Sequence, residues 1–161
     1  MTQLDKGSFR HAMSHFASGV TIMTTTAAGR MHGMTVSAFA SQSLDPLLIL
    51  VSVERSTTMH RLAMESRAFA INILGEQGEG TARFFADNAR LAGPEFQEGA
   101  YHLGVSGAPI LEEAAAYLEA TLDATLEAGD HTVMVGRVVA LKVVRDTAPL
   151  IYYRSGYRSL T

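Results

Sequence analysis

The chain has 161 residues, no cysteine, a formal net charge of −3, and 47% hydrophobic against 18% charged residues. That length is enough to bury a core as one domain, and the composition is that of a soluble globular protein. The missing cysteines exclude disulfides, thiol catalysis and cysteine metal sites, and the acidic balance argues against the broad basic footprint that nucleic acid needs.

The first residues, Met1 to Lys6, carry no apolar signal segment, and no later run approaches the roughly 18 apolar residues of a membrane span. The chain therefore reads as cytoplasmic, neither exported nor membrane-bound. Ser8 is placed to cap a short helix with Phe9, Met13 and Phe16 on one stripe. His11 and His15 are spaced to share a face of it. They lack the intervening Glu and third ligand of a zinc site, so a solvated or packing role fits them and no metal is expected.

From Gly19 the pattern turns to β. Val20 to Thr26 reads as a strand, Ala27-Ala28-Gly29-Arg30 as a turn, and Met31 to Phe39 as the returning strand. Leu44-Asp45-Pro46 makes a corner into the apolar strand Leu47 to Val53. Ser56 or Thr57 can then cap a helix carrying Met59, Leu62 and Ala63. Ala68 to Leu74 reads as a buried strand. Gly75 to Gly80 lacks the G-x-G-x-x-G spacing, and Glu76 and Glu79 would repel a pyrophosphate. It is taken as a loop opening a helix over Thr81 to Asp87. Residues 88–110, with Pro94 and Pro109, read as a long surface excursion of the kind often used as a lid.

Residues 112–128 are rich in the helix formers Ala, Leu and Glu. Yet Leu118, Ala120, Leu122, Ala124 and Leu126 alternate with Glu119, Thr121, Asp123, Thr125 and Glu127. A period of two marks a strand, from about Tyr117. Gly129-Asp130 turns the chain, His131 to Val144 returns as a long strand, and Leu150 to Tyr153 adds a short one. About seven strands with two or three short helices, and no βα alternation, point to a mainly β fold, an antiparallel barrel rather than a doubly wound sheet.

The stretch from Gly33 to Thr58 carries most of the chemistry. Its small residues, Thr35 to Ser43, let a flat ligand approach the backbone, and Arg55 followed by Ser56, Thr57 and Thr58 suits a phosphate. On composition alone, a buried strand pair with an Asp-Pro turn and a helix cap is the simpler account of it. This stretch resembles the flavin reductase-like family, the reductase components of two-component flavin monooxygenases. Further matches follow in chain order at Phe16 to Thr21, Phe69 to Leu74, Gly129 to Thr132 and Pro149 to Arg154, so the likeness covers nearly the whole chain.

The resemblance implies an FMN-binding split β-barrel, a homodimer, and hydride transfer from NADH or NADPH to FMN or FAD. Reduced flavin would then pass to a separate oxygenase component. The resemblance also places the isoalloxazine against Met34, Thr35, Val36, Ser37 and Ala38, with Ser41, Gln42 and Ser43 at the ring edge or ribityl chain. Arg55, Ser56 and Thr57 would take the phosphate. His131, after the Gly-Asp turn, is the implied catalytic contact to the nicotinamide or a phosphate, and its charge responds near neutral pH. Tyr153, Arg154 and Tyr157 would line the same mouth, although Ser155-Gly156 departs from the usual family tail. The alternative is a flavin-binding protein of the same fold without nicotinamide turnover, which fold alone does not separate.

Overall fold

The structure is a computed structural model that describes residues 4–160. It opens with helix α1 (Lys6–Met13), capped by Asp5, whose side chain accepts the Ser8 N–H at 2.8 Å. The cap therefore falls three residues before the Ser8 expected from sequence. A carboxylate already stood in register for the N3 amide, and Ser8 supplies that amide. The apolar side chains of this helix are uncovered, Phe9 at 67% and Met13 at 51% exposed, and Phe16, expected on the same stripe, lies beyond the helix end.

The strands follow as β1 (Ser18–Gly19), β2 (Thr21–Ala27), β3 (Arg30–Val36), β4 (Phe39–Leu44) and β5 (Leu47–Glu54). Helix α2 (Thr58–Ser66) leads into β6 (Ala68–Ile73), then a 3-10 turn (Glu76–Gly78) and helix α3 (Glu79–Ala86). A second 3-10 turn (Asn88–Ala92) and the short strands β7 (Tyr101–Leu103) and β8 (Pro109–Leu111) form a strap. The long strands β9 (Ala116–Ala128) and β10 (His131–Val143) come next, and β11 (Ile151–Tyr153) and β12 (Gly156–Arg158) close the chain. The period-two reading of residues 118–127 thus prevails over their helix propensity. Paired between β6 and β10, β9 buries Ala120 and Leu122 on the side where the core sits.

The main antiparallel sheet has the order β3-β2-β6-β9-β10-β5-β4. Its two edge strands, β3 and β4, are consecutive in the chain and joined only by Ser37 and Ala38. A two-residue link cannot span an open seven-stranded sheet, whose strands lie about 4.8 Å apart. The sheet must therefore curl until its edges meet at that corner, which makes it a split barrel. Sequence had read residues 31–39 as one strand. The chain instead breaks at Ser37-Ala38 as it passes from one edge to the other, and Ser52 N–H donates to the Ala38 carbonyl at 2.9 Å to fix the crossing. Inside, Phe69, Met23, Ile71, Val51, Val53 and Met134 are fully buried in one cluster.

The excursion over residues 88–110 is fastened rather than free. β8 is buried along its whole length. Thr24 Oγ1 donates to the Pro109 carbonyl at 2.6 Å, and Leu111 N–H donates to Asn72 Oδ1 at 2.8 Å. Buried Asn72 also donates through Nδ2 to the Ile22 carbonyl and to Thr24 Oγ1, at 3.1 and 3.2 Å. Further along, Arg90 and Glu95 finish the free edge of β3. Arg90 Nη2 donates to the Gly33 carbonyl at 2.8 Å, and Gly33 N–H donates to Glu95 Oε2 at 3.3 Å. Two side chains supply what a neighbouring strand would otherwise have given.

Glu95 also meets buried His32, whose Nδ1 lies 2.8 Å from Oε1, and Arg90 Nε at 3.4 Å. Burial pushes the Glu95 carboxyl up, but the His32 hydrogen bond and charge, the Gly33 amide and the Arg90 charge together hold it below its ordinary value of 4.5. A carboxyl depressed in the folded state contributes stability above its unfolded pKa, and that contribution is lost as pH falls through the folded value. Urea titrations of the wild type should therefore show stability declining below pH 4.5. Glu95→Gln should cost about 1–3 kcal/mol at neutral pH and narrow its gap to wild type in acid. A gap that stays constant from neutral to acid pH would exclude this role for Glu95.

Candidate functional site at the barrel seam

Strand register decides which candidate residues share a neighbourhood. His131 pairs with Glu54 across β10 and β5, and Arg55 N–H donates to the Asp130 carbonyl at 3.0 Å. The Arg55–Thr57 turn and His131 are therefore adjacent. The Ser37-Ala38 corner touches Ser52, two positions before Glu54, and so opens at the same end of the barrel. Val36 pairs with Thr21, just beyond β1, and β1 pairs with β11. This brings the C-terminal hairpin to that end as well, where Arg154 N–H donates to the Ser14 carbonyl at 2.9 Å. Lys6, at the start of α1, lies near enough for its charge to act on Asp130.

Within Met34–Ala38 the side chains divide. Val36 is buried in the core and Met34 packs against it, so these two offer a ligand backbone rather than side chain. Thr35 faces outward and donates through Oγ1 to the Ala82 carbonyl at 2.7 Å, holding α3 against β3. Ser37 and Ala38 are exposed, small, and at the seam. Ser41, Gln42 and Ser43 run down the open edge of β4. The pairing steps from Ser41–Ile49 to Ser43–Leu48, so Gln42 is the extra residue of a β-bulge, a device that re-aims a side chain.

Arg55, Ser56 and Thr57 sit at the start of α2. Thr57 Oγ1 accepts the His60 N–H at 3.2 Å as the cap, leaving the other first-turn N–H groups and the positive end of the helix dipole for an anion. Arg55 pairs with Glu127 at 3.3 Å, both side chains being substantially exposed. Such a pair is worth about 0–1 kcal/mol, so a phosphate competes easily for the guanidinium. Ser56 Oγ donates to Glu54 Oε1 at 2.9 Å and would have to turn to meet a ligand.

His131 Nδ1 donates to Asp130 Oδ1 at 2.7 Å. The His131 hydrogen bond and charge hold the Asp130 carboxyl below its ordinary value, and Nε2 is left to face a ligand. Tyr153 and Arg154 stack at 5.5 Å. The turn that follows Tyr153 has both Arg154 and Ser155 at positive φ, 47° and 57°, a tight hairpin made without glycine. Tyr157 lies instead beneath Arg83, at 5.0 Å, and against Tyr152 at 5.4 Å, on the α3 side of the hairpin. Burial pushes its hydroxyl above the ordinary value, against the pull of Arg83.

Sequence reasoning passed over Glu54, Glu127 and Asp130, which hold Ser56, Arg55 and His131. It also passed over His60, whose Nε2 lies 2.9 Å from Thr132 Oγ1 beside His131. Asp130 was the legible one, as an acid immediately before the histidine. The other contacts come from strand register. Just past the end of α1, His15 Nδ1 donates to the His11 carbonyl at 2.9 Å, and the two rings meet edge to face at 5.1 Å. Among the described residues no group of three or more His, Asp or Glu side chains is arranged to hold a metal ion, and no helix is long and apolar enough to cross a membrane.

The seam offers small residues for a flat ring, a helix start with an arginine for a phosphate, and a histidine beside that helix start. The profile described as "Flavin reductase like domain" matches residues 13–161. The chain belongs to the flavin reductase-like family. An NADH-dependent flavin reductase of Rhodococcus sp is 40% identical over 154 residues, covering 94% of this chain and 84% of that protein. Among solved structures, BorF, the flavin reductase component of a bacterial two-component tryptophan halogenase, superposes with a TM-score of 0.92 at 34% identity, covering 97% of this chain and 98% of that one. The Streptomyces globisporus C-1027 NADH:FAD oxidoreductase SgcE6, solved with NAD and FAD fragments, gives 0.89 at 31% identity, covering 98% and 93%. The family's mainly β split barrel is the fold seen here.

Proposed function

We propose that this chain is an NAD(P)H:flavin oxidoreductase that reduces FMN or FAD and supplies the reduced flavin to a separate monooxygenase. The observation that carries this is the meeting, at one end of the barrel, of the Ser37-Ala38 corner, the Arg55–Thr57 helix start and His131 in a chain of the flavin reductase-like family. When bound, flavin supplies the hydride acceptor and the nicotinamide the donor. The protein's work is placement. The corner admits a ring edge to backbone groups, Arg55 and the first turn of α2 hold a phosphate, and the bulged edge at Gln42 reaches the chain between them. His131, oriented by Asp130, fixes the nicotinamide side. Every one of these groups is at the surface, which suits a flavin that must leave after reduction.

The whole chain acts as one such domain, in the cytoplasm and as a homodimer. The apolar side chains of Phe9, Met13, Phe16, Leu44, Leu126 and Val143 are exposed in the single chain, more than an isolated small protein usually leaves open. Sedimentation at micromolar concentration should give twice the chain mass.

The deciding experiment is anaerobic. Purified protein is mixed with NADH or NADPH and an excess of FMN or FAD, and bleaching of the oxidised flavin band is followed. Multiple turnovers are expected. Flavin that binds but stays oxidised would make the protein a non-enzymatic flavin carrier. Arg55→Ala should raise the flavin KM about 10- to 100-fold, the loss of one charge-assisted contact, with little change in kcat. His131→Ala should raise the nicotinamide KM more than the flavin KM. The reverse pattern would remove His131 from that role.

A further inference from the structure

A cavity of about 300 Å³ lies between α3 and the strap and shares no lining residue with the seam. An unbroken run of aromatic rings lines it. Phe84 meets Phe85 edge to face at 5.0 Å, Phe85 meets Phe96 at 5.5 Å, and Phe96 meets Tyr101 at 5.4 Å. The polar lining is acidic, with Glu95, Glu112 and Glu113, and no Lys, Arg or His side chain lines the cavity among the described residues. Glu112 is held by His102 at 2.6 Å and Glu95 by His32 and Arg90, while Glu113 has no ion pair among the described residues.

This chemistry is the opposite of the seam's. A flavin phosphate or a dinucleotide pyrophosphate would meet carboxylates here, with no cation to receive it. The volume lies at the lower end of ligand-site sizes, room for one or two rings. Aromatic faces beside carboxylates favour a flat molecule whose edge carries a positive charge or an N–H donor. The inner wall is also tied to the flavin-side strand. A Cβ at Gly33 would lie 2.5 Å from Phe85, so the ring rests directly on the β3 backbone, and Glu95 bonds the same residue.

We propose that this cavity is a binding site for a small planar aromatic molecule of one or two rings bearing a cationic or N–H donor group, separate from the flavin site. The proposal stands on the cavity itself and does not depend on the reductase reading. Its test uses tryptamine, indole and indole-3-acetate as cationic, neutral and anionic probes of one ring system. Binding to the full chain is followed by titration calorimetry and saturation-transfer NMR, with and without saturating FMN. Tryptamine and indole should bind, with indole-3-acetate at least tenfold weaker, and FMN should leave all three unchanged. Gly80 lines the cavity with open space where a Cβ would be. Gly80→Phe should therefore fill it and weaken tryptamine at least tenfold, while flavin reduction and the melting temperature hold. Should that variant fail to fold, Ala100→Leu narrows the cavity from the strap and is read the same way. Absence of binding by every probe, equal affinity for the anionic and cationic probes, retained affinity in the filled variant, or displacement by FMN would each overturn the proposal.

Discussion

Replacing Phe69 by alanine should lower the unfolding free energy by about 3–5 kcal/mol, the largest loss expected from any single truncation in this barrel. Phe69 is fully buried, pairs with Ala120 of β9, and reaches across to β10. The reach is set by Gly136, where an added Cβ would fall 2.6 Å from Phe69 Cζ and 2.8 Å from the Ala120 methyl. The ring fills the space a side chain at 136 would occupy. Gly136→Ala alone should therefore overpack the site and cost about 1–3 kcal/mol. Combined with Phe69→Leu it should cost less than the sum of the two single changes, because the shortened side chain vacates the space the methyl enters. Urea midpoints with unchanged m-values are the measure. Strict additivity of the pair would mean that the two residues do not share that space.

Asn72→Leu should cost about 2–4 kcal/mol, although leucine keeps the number and branching of side-chain heavy atoms. The amide sits at the junction of β2, β6 and the strap, accepting from Leu111 N–H while donating to Ile22 and Thr24. Leucine leaves the Leu111 amide without its acceptor in a dry site and gives Thr24 one partner fewer. The damage should be local as well as global. Hydrogen exchange at Leu111 and limited proteolysis between Ala89 and Tyr101 should both accelerate well beyond what the lost stability predicts. If only the global midpoint moves, the strap is held by its apolar contacts and not by this amide.

The same junction separates what could be read from the sequence and what could not. The alternation from Leu118 to Glu127 is a short-range signal, and it identified β9 against a strong helix propensity. The capping hydroxyl of Thr57 and the turn at Gly129-Asp130 are equally local. Residues 88–110, by contrast, look like an unattached loop because their partners lie far away in sequence: Gly33 for Arg90 and Glu95, Thr24 for Pro109. No periodicity records such pairings. The break at Ser37-Ala38 was hidden for a related reason. Small, β-tolerant residues run on without a turn signal, and the chain leaves β3 there only because the sheet has two edges to join. At the candidate site, the residue types of Arg55–Thr57 and His131 were legible. Their neighbourhood was implied only by the family resemblance, since the pairing of His131 with Glu54 that sets it leaves no local signal.

That pairing pattern also governs how fast the molecule can be made. β3 and β4 are neighbours in the chain but stand at opposite ends of the strand order. The short route between them therefore yields no early ladder. Residues 48–54 must instead find 131–137, and residues 21–24 must find 70–73, before the sheet can close. Such distant partnerships place folding in roughly the millisecond-to-second range rather than the microseconds of a helical bundle. The corner at Ser37-Ala38 takes its shape only when the last edge arrives. A nascent chain thus has no seam to offer, and any ligand of the seam would secure the finished barrel rather than guide its assembly.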